Sequence, residues 1–126
     1  MENKKVTVAV LGASSEPERY SYKAISFLLE KGLKVIPVSI RNKTIQGLSC
    51  VPSLNDININ DNVDTLTIYV NPKISDTQLE SIIKLNPRRV IFNPGTENEN
   101  LASALEKAGI EVLEACTLVL LRTGQF

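Results

Sequence analysis

The chain has 126 residues, 43% of them hydrophobic and 22% charged, which fits one ordinary globular domain over residues 1–126 and excludes disordered, collagen-like and disulfide-dense classes. Fourteen Lys and Arg balance fourteen Asp and Glu, so the chain has no overall basic field for binding nucleic acid. The absence of histidine excludes histidine general bases, Ser-His-Asp triads and histidine metal sites.

Apolar runs alternate with helical patterns along the first half of the chain. Residues 6–11 predict a buried strand that is followed by a glycine. Residues 21–31 carry apolar side chains at helical spacing and predict a helix, and residues 33–38 predict the second strand. An irregular stretch, residues 39–62, then precedes a third strand that is expected at residues 66–70.

Two capping-box patterns mark helix starts in the second half. Ser75 with Gln78 predicts a helix that ends before Pro87, and Thr96 with Glu99 predicts the next helix. The remaining expected elements are strands at residues 90–92 and 110–113 and a short helix at residues 117–122.

The order of these elements indicates an α/β fold. Strands that alternate with helices favour a parallel sheet with helices on both faces, and the first strand is apolar throughout, as such burial requires. Right-handed crossovers then predict a doubly wound, Rossmann-like, five-stranded parallel sheet of order 3-2-1-4-5. Ligands of such sheets bind beyond the carboxyl ends of the strands, so the loops after the first four strands form the candidate site.

The loop after the first strand has the composition of a phosphate-binding turn. Gly12 permits a sharp turn, and the small residues Ala13, Ser14 and Ser15 let a phosphate approach main-chain amides near a helix start. The dinucleotide fingerprint is absent, because Ser14 and Pro17 stand where its second and third glycines would be. A pyrophosphate cradle and an ordinary strand-to-helix turn both fit this loop.

The loop after the second strand carries cations. NAD-binding sheets usually have Asp or Glu there, whereas this chain has Arg41 and Lys43. Cations attract a phosphorylated ribose that a carboxylate would repel, so the loop favours coenzyme A or NADP over NAD. Two exposed cations without a ligand are the alternative.

The sequence also predicts a compartment. It has no signal-peptide region and no apolar run near the ~20 residues of a membrane span, so we expect the cytoplasm, no membrane partner and reduced cysteines. Cys50 and Cys116 have no histidine to act as their base, and we do not expect either to be a catalytic nucleophile.

Four segments share their pattern with a known family, namely residues 8–14, 38–39, 93–98 and 117–124, which read VAVLGAS, VS, NPGTEN and TLVLLRTG. Together they resemble small bacterial CoA-binding domain proteins, which are relatives of the CoA-binding domain of the succinyl-CoA synthetase α subunit. The resemblance covers nearly the whole chain. Ser39-Ile40 stands where the synthetase pattern usually contains a proline, and the synthetase's phosphorylated histidine and second domain have no counterpart.

The resemblance implies a site for coenzyme A or an acyl-CoA. For the nucleotide half, it implies Gly12, Ala13, Ser14 and Ser15 at the pyrophosphate, Val38 and Ser39 at the adenine and ribose, Arg41 near the 3′-phosphate and Lys23 at a phosphate. For the remainder, it implies Tyr69, Val70 and Pro72 along the adenine and pantetheine, and Thr96 and Glu97 near the pantetheine arm.

The function that we expect is therefore non-catalytic binding of CoA or acyl-CoA. One alternative is an NADP-dependent reductase with Arg41 at the 2′-phosphate, although the chain has no Tyr-x-x-x-Lys pair placed for hydride chemistry. Another is a Rossmann-like interaction or sensor module. In that case the apolar residues 118–121 would suit a homo-oligomer or a protein partner that the sequence does not identify.

Overall fold

The computed structural model describes residues 6–126, which form a parallel sheet between two layers of helices. The strands are β1 (Thr7–Leu11), β2 (Lys34–Val38), β3 (Thr44–Ile45), β4 (Leu48–Ser49), β5 (Val63–Ile68), β6 (Arg89–Phe92) and β7 (Glu111–Glu114). The helices are α1 (Tyr20–Glu30), α2 (Pro72–Ser75), α3 (Leu79–Leu85), α4 (Glu99–Lys107) and α5 (Thr117–Arg122), and 3₁₀ turns lie at Leu54–Asp56, Ile59–Asp61 and Asp76–Gln78. None of the helices in this part of the chain has the length and apolarity needed to cross a membrane.

The five strands of the main sheet end at the same level. Their order is β2-β1-β5-β6-β7, every pair is parallel, and β3 and β4 form a separate hairpin. Leu11 lies opposite both Val38 and Ile68, and Ile68 lies opposite Phe92, which in turn lies opposite Glu114. The loops that follow these five residues therefore meet at one edge of the sheet.

The fold class is confirmed, but the position of the third sheet strand differs from the expected order. Counting sheet strands alone, the order is 2-1-3-4-5 rather than 3-2-1-4-5, because β5 pairs with β1 instead of with β2. Pro37 explains this placement, since a proline in β2 cannot donate to a ladder and is tolerated at a sheet edge. At the outer edge of β2 the loop residue Val51 forms two backbone hydrogen bonds: its amide donates to the Pro37 carbonyl oxygen at 3.0 Å, and its carbonyl oxygen accepts from the Ser39 amide at 2.9 Å.

Helices cover both faces of the sheet, as the apolar strands require. One face packs Ala9, Leu11, Leu66 and Phe92 against side chains of α3, α4 and the 3₁₀ turns. The opposite face packs Val8 and Val10 against α1, α5 and the hairpin. Both layers leave the carboxyl ends of the strands uncovered.

The second face also buries polar groups of β5 and β6. Arg89 is 6% exposed, donates to Thr65 Oγ1 at 2.8 Å and to the Phe126 carbonyl oxygen at 2.6 Å, and stacks on the Phe126 ring. Thr67 and Thr117 join β5 to α5 through a hydroxyl–hydroxyl hydrogen bond of 2.8 Å. These buried polar side chains are satisfied within the fold, as burial demands.

Both expected capping boxes are wrong, because neither Ser75 nor Thr96 caps a helix. Asn71 caps α2 and Asn98 caps α4, each by accepting a hydrogen bond at 3.1 Å from the amide three residues later. Ser75 instead lies in the last turn of α2, and the Thr96 hydroxyl donates to the Asn93 carbonyl oxygen. The actual cap is an asparagine in both cases: Asn71 lies four residues before Ser75, and Asn98 lies between Thr96 and Glu99.

Candidate functional site

Two clefts open at the carboxyl edge of the sheet. The first, which we call the arginine cleft, has a volume of about 250 Å³, and its lining includes Ala13, Ser14, Ser15, Arg19, Ser39 and Arg41. The second, the tyrosine cleft, has a volume of about 340 Å³, and its lining includes Tyr20, Tyr69, Pro94, Cys116, Leu118 and Val119.

The arginine cleft lies where the loop after β1 meets the loop after β2. The Gly12 and Ala13 amides both donate to the Val38 carbonyl oxygen, at 3.2 and 3.1 Å, so they hold the two loops together and are not free for a ligand. Within residues 6–126, the amides of Ser14 and Ser15 have no protein acceptor. These are therefore the amides of the turn that remain available to an anion.

Side-chain hydrogen bonds fix the shape of both loops. Ser14 Oγ accepts a hydrogen bond from the Glu16 amide at 3.0 Å. Ser39 Oγ accepts from the Asn42 amide and from Asn42 Nδ2, at 3.3 and 3.1 Å. Short turns of this kind position backbone groups before a ligand arrives.

The charges in the arginine cleft favour an anion. Arg19 Nε lies 3.2 Å from the Glu16 carboxylate, whereas Arg41 is exposed and has no acidic partner in the described part of the chain. The helix that begins beside the cleft, α1, has no acidic residue in its first turn and no side-chain cap at Arg19. Glu16 lines the cleft as well and offsets the charge of Arg19, so the positive field comes from Arg41 and from the N-terminal dipole of α1.

Gly12 brings the loop after β1 against the loop after β5. Its φ is +88°, and a Cβ there would lie 2.8 Å from Val70 Cγ1 and 3.1 Å from the Tyr69 carbonyl carbon. The Tyr69 amide also donates to the Leu11 carbonyl oxygen at 2.9 Å. Only a glycine permits both this conformation and this approach.

The floor of the tyrosine cleft is a buried polar network under an apolar lining. Asn93 is 2% exposed; its Nδ2 donates to Thr67 Oγ1 and to the Ile68 carbonyl oxygen, and its Oδ1 accepts from the Thr117 amide. Among the described residues, the Tyr69 hydroxyl is the one buried side-chain oxygen or nitrogen without a hydrogen-bond partner. Burial raises the pKa of Tyr69 to about 12, so this hydroxyl stays protonated at neutral pH.

The structure brings most of the expected nucleotide contacts together. Ala13, Ser14, Ser15, Ser39 and Arg41 line one cleft; Gly12 and Val38 do not line it but are hydrogen-bonded to each other directly before its lining residues. Lys23 does not line this cleft; its Nζ lies 5.4 Å from the centre of the Tyr20 ring.

The expected contacts for the pantetheine are more dispersed. Tyr69 lines the tyrosine cleft, and Val70 lies against Gly12 between the two clefts. Pro72 is the first residue of α2, while Thr96 and Glu97 hydrogen-bond within the loop after β6; these three residues do not line either cleft. Their positions shape the loops at the same edge of the sheet.

Sequence reasoning missed two groups of residues. Arg19 lines the arginine cleft, although it lies at the start of a helix rather than in the glycine loop. Tyr20 and Cys116 lie far apart in the chain and meet in the tyrosine cleft. The position of Arg19, four residues after Ser15 and directly before α1, was the available signal for the arginine cleft.

Comparison with known proteins agrees with this geometry. A family model described as "CoA binding domain" matches residues 6–122. A crystal structure of an uncharacterized protein shares 40% identity with this chain at a TM-score of 0.90, covering 98% of this chain and 100% of that chain.

Two further similar structures come from named organisms. A Thermus thermophilus protein is 30% identical at a TM-score of 0.86, covering 97% of this chain and 91% of that chain. A dinucleotide-forming acetyl-coenzyme A synthetase from Ca. Korarchaeum cryptofilum is 25% identical at a TM-score of 0.74, covering 86% of this chain and 25% of that chain. The likeness therefore extends to one part of a larger CoA ligase.

Proposed function

This chain belongs to the CoA-binding domain family, and from that premise we propose that it binds coenzyme A or an acyl-CoA at the carboxyl edge of its sheet. The observation that carries the proposal is the arginine cleft. There Arg41 faces the same space as the amides of Ser14 and Ser15, and within residues 6–126 neither the guanidinium group has an acidic partner nor the two amides a protein acceptor. Charge-assisted and backbone donors of this kind suit phosphate oxygens.

The nucleotide half of the ligand has two anionic groups, and the cleft has two sets of donors for them. Arg41 binds the ribose 3′-phosphate, because a guanidinium presents two parallel donors to phosphate oxygens. The amides of Ser14 and Ser15, with Arg19 beside the start of α1, bind the pyrophosphate. Val38 and Ser39, at the end of β2, flank the adenine and ribose.

The pantetheine arm leaves the arginine cleft past the loop after β5. Gly12 and Val70 are in contact there, and Tyr69 leads into the tyrosine cleft. Pro72, Thr96 and Glu97 support this path from the loops that begin α2 and follow β6. Lys23, above the Tyr20 ring, adds a positive charge beside the path.

We propose that the site binds CoA or acyl-CoA without catalysing a reaction of it. The Tyr69 hydroxyl stays protonated at neutral pH and cannot act as a base there, since burial raises its pKa to about 12. Cys116 has no histidine to accept its proton, because the chain contains none. The donors of the arginine cleft hold phosphates but do not by themselves transfer a proton.

A thermal-shift panel of CoA, acetyl-CoA, NADPH, NAD and ATP tests the proposal. Ligand at one hundred times its dissociation constant stabilises the folded state by about 2.7 kcal/mol, so CoA is expected to raise the melting temperature measurably. A shift with NADPH but not with millimolar CoA would instead favour the NADP-dependent reductase. Oxidation of NADPH with a panel of carbonyl compounds then checks that alternative directly.

A further inference from the structure

The lining of the tyrosine cleft is mostly apolar. The rings of Tyr20 and Tyr69 form part of its walls together with Pro94, Leu118 and Val119. The one amide side chain in its lining, Asn93, uses both its oxygen and its nitrogen within the fold. The lining also includes the exposed Arg122 and the thiol of Cys116, so a ligand group that enters this cleft meets mainly hydrocarbon and aromatic surface beside one guanidinium group.

The two clefts adjoin along two parts of the chain. Arg19 lines the arginine cleft, and its neighbour Tyr20 lines the tyrosine cleft. On the other side, Gly12, which directly precedes Ala13 of the first cleft, touches the backbone of Tyr69, which lines the second. One elongated ligand can thus place its phosphates in the first cleft and its far end in the second.

We propose that the tyrosine cleft holds the acyl group of a short-chain aliphatic acyl-CoA. This inference rests on the proposed binding of CoA and names the class of acyl group that the site selects. A volume of about 340 Å³ lies at the lower end of the range for small-molecule sites, which suits a short chain.

Exposed apolar side chains at the cleft support this occupant. Tyr20 is 67% exposed and Val119 is 49% exposed, so both present apolar surface to water when the cleft is empty of ligand. An aliphatic chain packed against them removes that surface from water, which is favourable in proportion to the area buried. Free CoA, which ends in a thiol, leaves most of this surface exposed.

Titration calorimetry with CoA, acetyl-CoA and butyryl-CoA tests the inference on the wild-type chain. Each buried methylene contributes roughly a factor of four in affinity, so butyryl-CoA, which is two methylenes longer, is expected to bind about fifteenfold more tightly than acetyl-CoA. Equal affinities for all three ligands would overturn the acyl site while leaving CoA binding intact. Failure of every CoA compound to bind would overturn the proposed function itself.

Substitution of Val119 by Trp tests whether the acyl chain occupies the tyrosine cleft. The larger side chain fills the cleft, so Val119→Trp is expected to abolish the gain from acetyl-CoA to butyryl-CoA. Ile83→Trp is the matched control, since Ile83 is 43% exposed on α3 and lies outside both clefts. A butyryl gain that persists in a folded Val119→Trp chain would place the acyl group elsewhere.

Discussion

The side-chain oxygen of Asn93 accepts a hydrogen bond from the Thr117 amide at 2.8 Å, and this contact ties the loop after β6 to the start of α5. The nitrogen of the same side chain donates to Thr67 Oγ1 at 2.7 Å and to the Ile68 carbonyl oxygen at 2.9 Å. One amide thus joins the ends of β5 and β6 to the helix that carries Leu118 and Val119. The shape of the tyrosine cleft depends on this junction.

Replacement of Asn93 by Ala is expected to lower the free energy of unfolding by about 2–4 kcal/mol. The substitution removes the partner of the Thr117 amide and of the Ile68 carbonyl oxygen, while Thr67 Oγ1 keeps its hydrogen bond to Thr117 Oγ1; each buried group left unpaired costs about 1–3 kcal/mol. Urea unfolding monitored by circular dichroism measures the loss. Asn100→Ala, on the exposed side of α4, serves as the control and is expected to stay within about 0.5 kcal/mol of wild type. Equal free energies of unfolding for the two variants would contradict the structural role of Asn93.

Replacement of Gly12 by Ala tests the contact between the loops after β1 and β5. A Cβ at this position would lie 2.8 Å from Val70 Cγ1 and 3.1 Å from backbone of Tyr69, and its φ of +88° disfavours any L side chain. Gly109 has a φ of +87° and open space around it, so Gly109→Ala bears the conformational cost alone, about 1–2 kcal/mol. We expect Gly12→Ala to cost about 1–3 kcal/mol more than this control in urea unfolding. If both variants lost the same free energy of unfolding, the close approach of the two loops would add no steric cost to the Gly12→Ala substitution.

Replacement of Tyr69 by Phe is expected to change the dependence of stability on pH. An unfolded tyrosine ionises near pH 10, whereas burial raises the pKa of Tyr69 to about 12 in the folded chain. Between these values the folded state keeps a proton that the unfolded state releases, so wild-type stability falls by about 1 kcal/mol for each pH unit above 10.

The Tyr69→Phe variant cannot ionise, so it lacks this loss of stability above pH 10. It also removes a buried hydroxyl that has no hydrogen-bond partner among the described residues. Its free energy of unfolding is therefore expected to match or exceed that of wild type at pH 7. Unfolding curves collected from pH 7 to 11 give both results. Parallel pH profiles for the two chains would mean that Tyr69 ionises alike in the folded and unfolded states.

Local features of the fold can be predicted from the sequence, because each depends on a short stretch of chain. The apolar run before Gly12 specifies β1, and the cations Arg41 and Lys43 directly follow β2, so their place at the carboxyl edge follows from the strand itself. Ser14 and Ser15 reach the same edge for the same reason. These residues lie where the alternation of strands and helices predicts them.

The strand order and the tyrosine cleft depend on long-range packing. Residues 39–62 form a hairpin and 3₁₀ turns instead of a crossover helix, so their pattern does not tell on which side of β1 the next strand lies. Pro37 was a usable signal for an edge strand. No short pattern brings Tyr20 to Cys116, because their meeting requires α1 and α5 to pack on the same face.

The last prediction concerns Arg41, which separates a CoA site from a chance group of exposed cations. A guanidinium holds a ribose 3′-phosphate through two charge-assisted hydrogen bonds, each worth about 1.5–3 kcal/mol, so Arg41→Ala is expected to weaken CoA binding about tenfold or more. Binding of 3′-dephospho-CoA is expected to stay nearly unchanged, as is the stability of the fold, since Arg41 is exposed and unpaired within the described residues. Lys43→Ala is the matched control, because Lys43 is an exposed cation of the same loop outside the cleft lining. Calorimetric titration of both ligands against the three chains gives the six affinities. If Arg41→Ala weakened the binding of CoA and of 3′-dephospho-CoA equally, Arg41 would not contact the 3′-phosphate, and Arg19 would be the next candidate for that contact.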